Sequence, residues 1–235
     1  MEPSYVAVIL ARSGSKGIKD KNIVKINGKP LIYWVCKAVE ECNFIENLYV
    51  LSNNANIASI VKSFGFSKLN VHSRNPSTET DDAPSETALI EFAEKNCFKN
   101  IFLIQATSPQ LVSKDLDKAC EIYNSSGFDS LLSVVKQKRF LWSVNNGEVR
   151  PLNYDLQNRP QRQNSVSYFV ENGAFYLTNR ENLLKSRCRI SGRIGFVEMN
   201  EYTYFEVDSS TELLLIEAIM RCGFGETLIE DLISF

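Results

Sequence analysis

Tyr5-Val6-Ala7-Val8-Ile9-Leu10 is an unbroken apolar run, and a loop rich in glycine, serine and cations follows it at once. Such a run reads as a buried strand. The loop, Ala11-Arg12-Ser13-Gly14-Ser15-Lys16-Gly17-Ile18-Lys19-Asp20-Lys21-Asn22, then lies at the strand's carboxyl end, where open α/β sheets bind ligands. Gly14 and Gly17 let backbone N–H groups approach a ligand closely. Ser13 and Ser15 can donate hydrogen bonds, and Arg12 and Lys16 add positive charge beside them. That combination suits a polyphosphate. A Walker loop would need Gly-Lys-Ser/Thr and a helix directly after it; here Lys16 precedes Gly17, and Lys19-Asp20-Lys21-Asn22 is no apolar helix start. The dinucleotide fingerprint lacks its third glycine. A plain Gly/Ser turn is the bland alternative.

The first half of the chain alternates apolar runs with helical periodicity. Leu31, Trp34, Val35, Ala38 and Val39 recur at helical spacing after the turn Asn27-Gly28-Lys29-Pro30. Strands are predicted over 48–51, 69–71, 101–104 and 130–135. Helices are predicted over 57–64, closed by Gly65, and over 84–95, with another carrying Leu116, Ala119, Cys120 and Tyr123. Alternating strands and short-looped helices imply a mostly parallel, doubly wound α/β sheet. Residues 136–170 are polar and irregular, with a turn at Asn145-Asn146-Gly147, and read as an insertion projecting from a single domain spanning 1–235. Strands follow over 174–177 and 194–197. A last helix over 211–220 is apolar nearly all round, so core on one side and a partner or the insertion on the other should cover it.

The chain has 235 residues, 44% hydrophobic, enough for one substantial core. A net charge of −2 argues against a nucleic-acid binder. No apolar stretch reaches membrane-spanning length, and Met1-Glu2-Pro3-Ser4 lacks the basic region of a signal peptide. The six cysteines include no C-x-x-C pair and are expected to be reduced and buried in a cytoplasmic protein. The lone His72 cannot make a histidine metal site and should end a strand.

Four further polar clusters carry chemistry. Arg74 precedes Thr80-Asp81-Asp82-Ala83-Pro84-Ser85, whose bland reading is a helix cap at Asp82. Gln105-Ala106-Thr107-Ser108-Pro109 ends a central strand, and an amide there could read a nucleobase edge. Arg159-Pro160-Gln161-Arg162-Gln163 places guanidinium groups, which match carboxylates and phosphates, on a stiffened loop. Glu206-Val207-Asp208 sets two carboxylates at i and i+2, on one side of an extended strand. Together they could hold one hard divalent ion, with water and phosphate oxygens completing its shell.

In this order, these segments resemble the CMP-N-acylneuraminate synthetases (acylneuraminate cytidylyltransferases). The family's A-R-x-x-S-K-G with a following Lys-Asn stands as Ala11, Arg12, Ser15, Lys16, Gly17, Lys21 and Asn22. Its Q-x-T-S-P is Gln105 to Pro109, its Arg-Gln element is Arg162-Gln163, and its N-G-[AS]-x-Y strand is Asn172-Gly173-Ala174-Phe175-Tyr176. The resemblance implies a nucleotide-diphospho-sugar transferase-like fold with a projecting dimerisation insertion. It implies transfer from CTP to a nonulosonic acid, N-acetylneuraminate first, giving the CMP-sugar and pyrophosphate. CMP-Kdo, CMP-legionaminate and CMP-pseudaminate synthetases are the alternatives within the class, and a catalytically inactive nucleotide sensor is the alternative outside it.

By the same resemblance, Ala11, Arg12, Ser13, Gly14, Ser15, Lys16, Asn22, Arg74 and Ser85 bind nucleotide. Gln105, Arg162 and Gln163 bind sugar, the insertion reaching a neighbour's site in a homodimer. Arg12, Lys16 and Asp208 are catalytic, and Asp208 with Glu206 binds Mg2+ or Mn2+. The chain departs from the family in three places. Glu206 replaces the common aspartate. Leu141 stands where a cation is expected, with Lys138 or Arg139 as substitutes. Ser52-Asn53-Asn54 replaces an acid-containing turn. No membrane and no nucleic acid are expected as partners.

Overall fold

The computed structural model describes residues 2–14, 17–78 and 83–222. The first strand, β1 (Tyr5–Leu10), covers the whole opening apolar run. After the cationic loop, β2 (Lys25–Ile26) and β3 (Lys29–Pro30) form a small hairpin that leads into α1 (Leu31–Glu41). Next come β4 (Asn47–Leu51), α2 (Ala55–Lys62), β5 (Leu69–His72), α3 (Ser85–Lys95) and β6 (Asn100–Ile104). The second half holds α4 (Ser113–Ser126), β7 (Ser130–Gln137), β8 (Trp142–Asn145), β9 (Glu148–Pro151) and β10 (Tyr168–Asn179). It closes with α5 (Arg180–Ser186), β11 (Ile194–Met199) and α6 (Ser210–Arg221).

Seven strands form one sheet in the order β11-β7-β10-β6-β1-β4-β5. β10 runs antiparallel to both of its neighbours, and the other pairings in this sheet are parallel. The fold is therefore a mostly parallel α/β sheet. Both faces of β1 are buried, and its residues alternate between two cores. Tyr5, Ala7 and Ile9 pack with α1 and α4 residues such as Val35 and Leu116. Val6 and Val8 pack with Leu89, Phe92 and Leu183 on the opposite face. This two-sided burial is why the run reads as continuously apolar rather than alternating. From β1 the chain builds outward to β4 and β5, then returns to place β6 on the other side. That reversal opens a crevice at the carboxyl ends of β1 and β6.

Some elements differ from the sequence reading. β7 runs to Gln137 and β10 starts at Tyr168, paired with it, so both ends of the stretch read as irregular are sheet. Between them β8 and β9 form a hairpin through the expected Asn145-Asn146-Gly147 turn. α5 has no counterpart in the sequence reading; its seven residues give too few turns for a periodic signal. α3 starts at Ser85 with Pro84 as its N-cap, while Asp82 lies outside the described residues. α6 buries Ile216 and Met220 against Ile26, Leu31 and Val207, but leaves Leu214 and Leu215 exposed, so among the described residues nothing covers its outer face. Cys36, Cys42 and Cys120 are buried as expected, whereas Cys97 and Cys222 are exposed; all six are free thiols. His72 ends β5 as read. Among the described residues, no helix is long and apolar enough to cross a membrane.

Candidate active site

A cleft of about 450 Å³ opens at the crevice between β1 and β6. Leu10, Arg12, Gly17, Lys21 and Asn22 line it from the first loop. Arg74 and Thr78 line it from the segment after β5, Ala83 and Ser85 from the start of α3, and Gln105 to Thr107 from the end of β6. Asp208 closes it from the segment before α6. The cationic loop and the acidic end of the chain thus meet in one cavity, although 196 positions separate Arg12 from Asp208.

Local bonding explains how each wall is held. Asn22 is buried, and its Nδ2 donates to the Arg12 carbonyl at 2.9 Å, which ties the two ends of the described loop together. Arg74 is clamped by Asn53. The Asn53 amide donates to the Arg74 carbonyl at 2.6 Å, and its Oδ1 accepts the Arg74 N–H at 3.1 Å. The Arg74 guanidinium donates in turn to the Thr78 carbonyl. Asn54 caps α2 by accepting from the Ile57 N–H at 2.9 Å. The Ser52-Asn53-Asn54 departure therefore builds the cleft wall: one amide fixes the arginine and the next caps a helix.

The acid-bearing segment is irregular, not the extended strand expected from its spacing. Val207 is fully buried among Ile26, Leu31 and Ile216, with its N–H on the Thr107 carbonyl at 2.9 Å, and of the two acids beside it Asp208 lines the cleft while Glu206 is not among the lining residues. Glu206 and Asp208 flank that anchor. Glu206 accepts from Thr107 Oγ1 at 3.0 Å and lies against Gly173. A β-bulge between Glu171 and Tyr176 puts Gly173 at φ +67°, where a Cβ would stand 2.2 Å from Glu206 Oε1. The positive φ favours glycine, and a Cβ there would also push the Glu206 carboxyl aside. Gly17 serves a similar close approach, its would-be Cβ 2.2 Å from the Asp208 carbonyl oxygen.

The charges are arranged accordingly. Lys21 Nζ lies 2.6 Å from Asp208 Oδ1. Burial pushes the Glu206 carboxyl above the usual carboxylate range. The Thr107 hydrogen bond and the Lys21 charge pull it back, while Asp208 and Glu171 add to the rise. An acid crowded by other acids in a half-buried place is one that a cation would stabilise. The oxygen donors of Glu206 and Asp208 fit a hard divalent ion such as Mg2+ or Mn2+. No cluster of three His, Cys, Asp or Glu side chains exists among the described residues to cage such an ion unaided. The remaining ligands would have to be water and phosphate oxygens.

Of the residues assigned to nucleotide, Arg12, Asn22, Arg74 and Ser85 line the cleft, and Gln105 and Asp208 join them. Ala11 does not; it is fully buried, with its N–H on the Leu51 carbonyl at 3.0 Å. Ser13 and Gly14 are exposed and not among the lining residues. Ser15 and Lys16 lie outside the described residues. Gln163 is elsewhere: with Lys136, Lys138 and Glu198 it lines a second groove, and its carbonyl accepts from Lys138 Nζ at 2.6 Å. The backbone of Arg162 belongs to the short 3-10 turn Arg162–Asn164 beside it. Gln163 is therefore not among the residues that line the cleft of its own chain. Arg139 Nε turns to Gln137 Oε1 at 3.3 Å, and Leu141 is half-exposed. Lys21, Thr107 and Gly173 were missed as site residues. All three stand inside the quoted motifs, but only the folded contacts reveal what they touch.

A mostly parallel α/β sheet with a cationic loop facing Asp208 across its switch point has the architecture of the nucleotide-diphospho-sugar transferase-like folds. The sequence profile of the family described as cytidylyltransferase matches residues 6–221, and the chain belongs to this family. It is 33% identical over 93% of its length to N-acylneuraminate cytidylyltransferase A of Danio rerio, covering 51% of that protein. It is 34% identical to the N-acylneuraminate cytidylyltransferase of Oncorhynchus mykiss over 93% of its length and 51% of that relative. The chain thus spans about half the length of these curated relatives. Post-translational flagellin modification protein B of Campylobacter coli is 25% identical, with 92% of this chain and 94% of that protein aligned. Among solved structures, CMP:2-keto-3-deoxy-manno-octonic acid synthetase complexed with CTP shares the fold at a TM-score of 0.68 and 16% identity, covering 93% of this chain and 98% of that one. The 4-diphosphocytidyl-2C-methyl-D-erythritol synthase of Anaerococcus prevotii also matches at a TM-score of 0.68, with 10% identity and 93% and 96% coverage.

Proposed function

We propose that this chain is a cytidylyltransferase that couples CTP to a nonulosonic acid, N-acetylneuraminate in the first instance, and releases pyrophosphate. The observation that carries this reading is the meeting of Arg12, Asn22, Arg74 and Asp208 in one cleft at the switch point of a cytidylyltransferase-family fold. The names of the relatives in fish support the choice of acid. The anomeric hydroxyl attacks the α-phosphorus in line, forming the new P–O bond as the bond to pyrophosphate breaks. Arg12 and Lys16 stabilise charge on the transferring and leaving phosphoryl oxygens, so positioning and electrostatics carry the catalysis. Glu206 and Asp208 would hold a divalent ion, Mg2+ or Mn2+. When bound, such an ion supplies Lewis acidity towards phosphate oxygens and lowers the pKa of a hydroxyl. Gln105, on the cleft wall, orients the acceptor sugar. His72 does not line the cleft, so no histidine base enters the scheme. We place the reaction in the cytoplasm and in a homodimer whose partner contributes Arg162 and Gln163.

A pyrophosphate-release assay with CTP, magnesium and N-acetylneuraminate tests this. Turnover with that acid and not with Kdo, legionaminate or pseudaminate is expected. Preference for one of the other acids would move the chain to a sister activity. CTP binding with no pyrophosphate from any acid would leave a nucleotide sensor.

A further inference from the structure

Lys21 opens the 3-10 turn Lys21–Ile23, and its side chain is only 17% exposed. Its ammonium reaches across the cleft to Asp208 Oδ1 at 2.6 Å, while the Asp208 side chain is 65% exposed. We propose that Lys21 is a built-in cation that holds the acid pair until nucleotide arrives, so that a divalent ion joins this protein after CTP and not before it. This rests on the function proposed above and adds an order of assembly.

The main chains on either side of the ion pair are pinned. Next to Lys21, buried Asn22 bonds the Arg12 carbonyl, and the Val24 N–H bonds the Lys21 carbonyl at 3.2 Å. Next to Asp208, Val207 is buried and bonded to Thr107, and Gly17 abuts the Asp208 carbonyl. Both main chains are held by these contacts, and the side chains are the parts left to exchange partners. With the ammonium in place, two carboxylates carry a net charge of one unit rather than two. A divalent ion must then displace a charge-assisted hydrogen bond and sit beside a like charge. A triphosphate in the same cleft offers Lys21 oxygens of its own, and Asp208 is exposed enough to turn towards a metal. Nucleotide and ion then favour each other's binding by the same factor.

The test is a Mn2+ titration of the full chain without nucleotide, followed by the EPR signal of the free ion. The unsubstituted protein should bind Mn2+ weakly. Lys21→Met and Lys21→Gln should each bind it about tenfold more tightly. Adding Asp208→Asn to Lys21→Met should abolish the gain. Circular-dichroism melts of both Lys21 variants confirm that they are folded. Equal Mn2+ affinity with and without Lys21, or a gain that survives Asp208→Asn, would overturn the proposal. A CTP titration in EDTA stands apart from this comparison. If CTP binds with Mg2+ but not in EDTA, the proposed order fails; if it binds under neither condition, the proposed function fails, and the nucleotide-free Mn2+ comparison still decides whether Lys21 bars the ion.

Discussion

At the scale of single residues, charge is placed where the neighbours make it count. Lys16 lies outside the described residues, and the proposed function assigns it the phosphoryl oxygens where negative charge grows. Lys16→Ala should lower kcat by about 10²-fold or more with the fold intact; near-normal kcat in that variant would remove Lys16 from the mechanism. Glu86 and Arg189 are the matching case for stability. Arg189 Nε and Nη2 meet the two Glu86 oxygens at 2.6 and 3.0 Å. Burial raises the Glu86 carboxyl, but the Arg189 hydrogen bonds and charge outweigh it and hold the group below its usual value. A carboxylate depressed in the folded state stabilises above its unfolded pKa, and the contribution fades as pH falls through the folded value. Arg189→Met should therefore cost about 1–2 kcal/mol at pH 7. In urea titrations, that difference should shrink at pH values below the ordinary carboxylate range. A cost independent of pH would mean that Arg189 acts by packing over the Tyr176 ring, 4.9 Å away, and not by charge.

At the scale of elements, the sequence marked regular structure well and irregular structure poorly. β1 was legible to the residue because both of its faces are buried and every side chain in it is apolar. Spacing at i and i+2 is all that a sequence shows of the acid-bearing segment, and it points to a strand. The structure fixes the segment by the burial of Val207 and one bond to Thr107, not by a ladder. The bulge in β10 was likewise invisible, since Asn172-Gly173 looks like any strand interruption until Glu206 is seen against it. Gly173→Ala should destabilise the fold by about 1–2 kcal/mol from backbone strain alone. It should also displace Glu206. Shortening the acid, Gly173→Ala with Glu206→Asp, should recover part of the metal affinity but none of the lost stability, because it relieves the clash and leaves the strained φ. Equal metal affinity in the single and double variants would exclude steric control of Glu206 by this glycine.

At the scale of the whole molecule, the chain leaves an incomplete account of itself. Gln163 sits in a groove away from the cleft at β1 and β6, while Trp142, Val144, Val149, Leu152 and Leu156 in the β8–β9 region are exposed. A symmetric partner that receives this region and lends its Arg-Gln element would account for both. Sedimentation should return a dimer. Mixing an Arg162→Ala chain with a Lys16→Ala chain, each inactive alone, should restore about a quarter of the unsubstituted rate, the share expected from random exchange in two-site dimers. No recovery on mixing would confine each active site to one chain.

The division between sequence and tertiary structure follows from the range of the forces involved. Hydrophobic periodicity and the loop's composition are local properties, and they were sufficient for the α/β class and for β1 and its phosphate-type loop; the family resemblance carried by the motifs supplied Arg12, Asn22, Arg74, Ser85, Gln105 and Asp208, all of which line one cleft. Which side chains meet across long sequence separations is set by packing. Lys21 on Asp208, Thr107 on Glu206, Asn53 on Arg74 and the removal of Gln163 from the cleft all depend on strand order and on one antiparallel strand, and no local pattern in the chain encodes them.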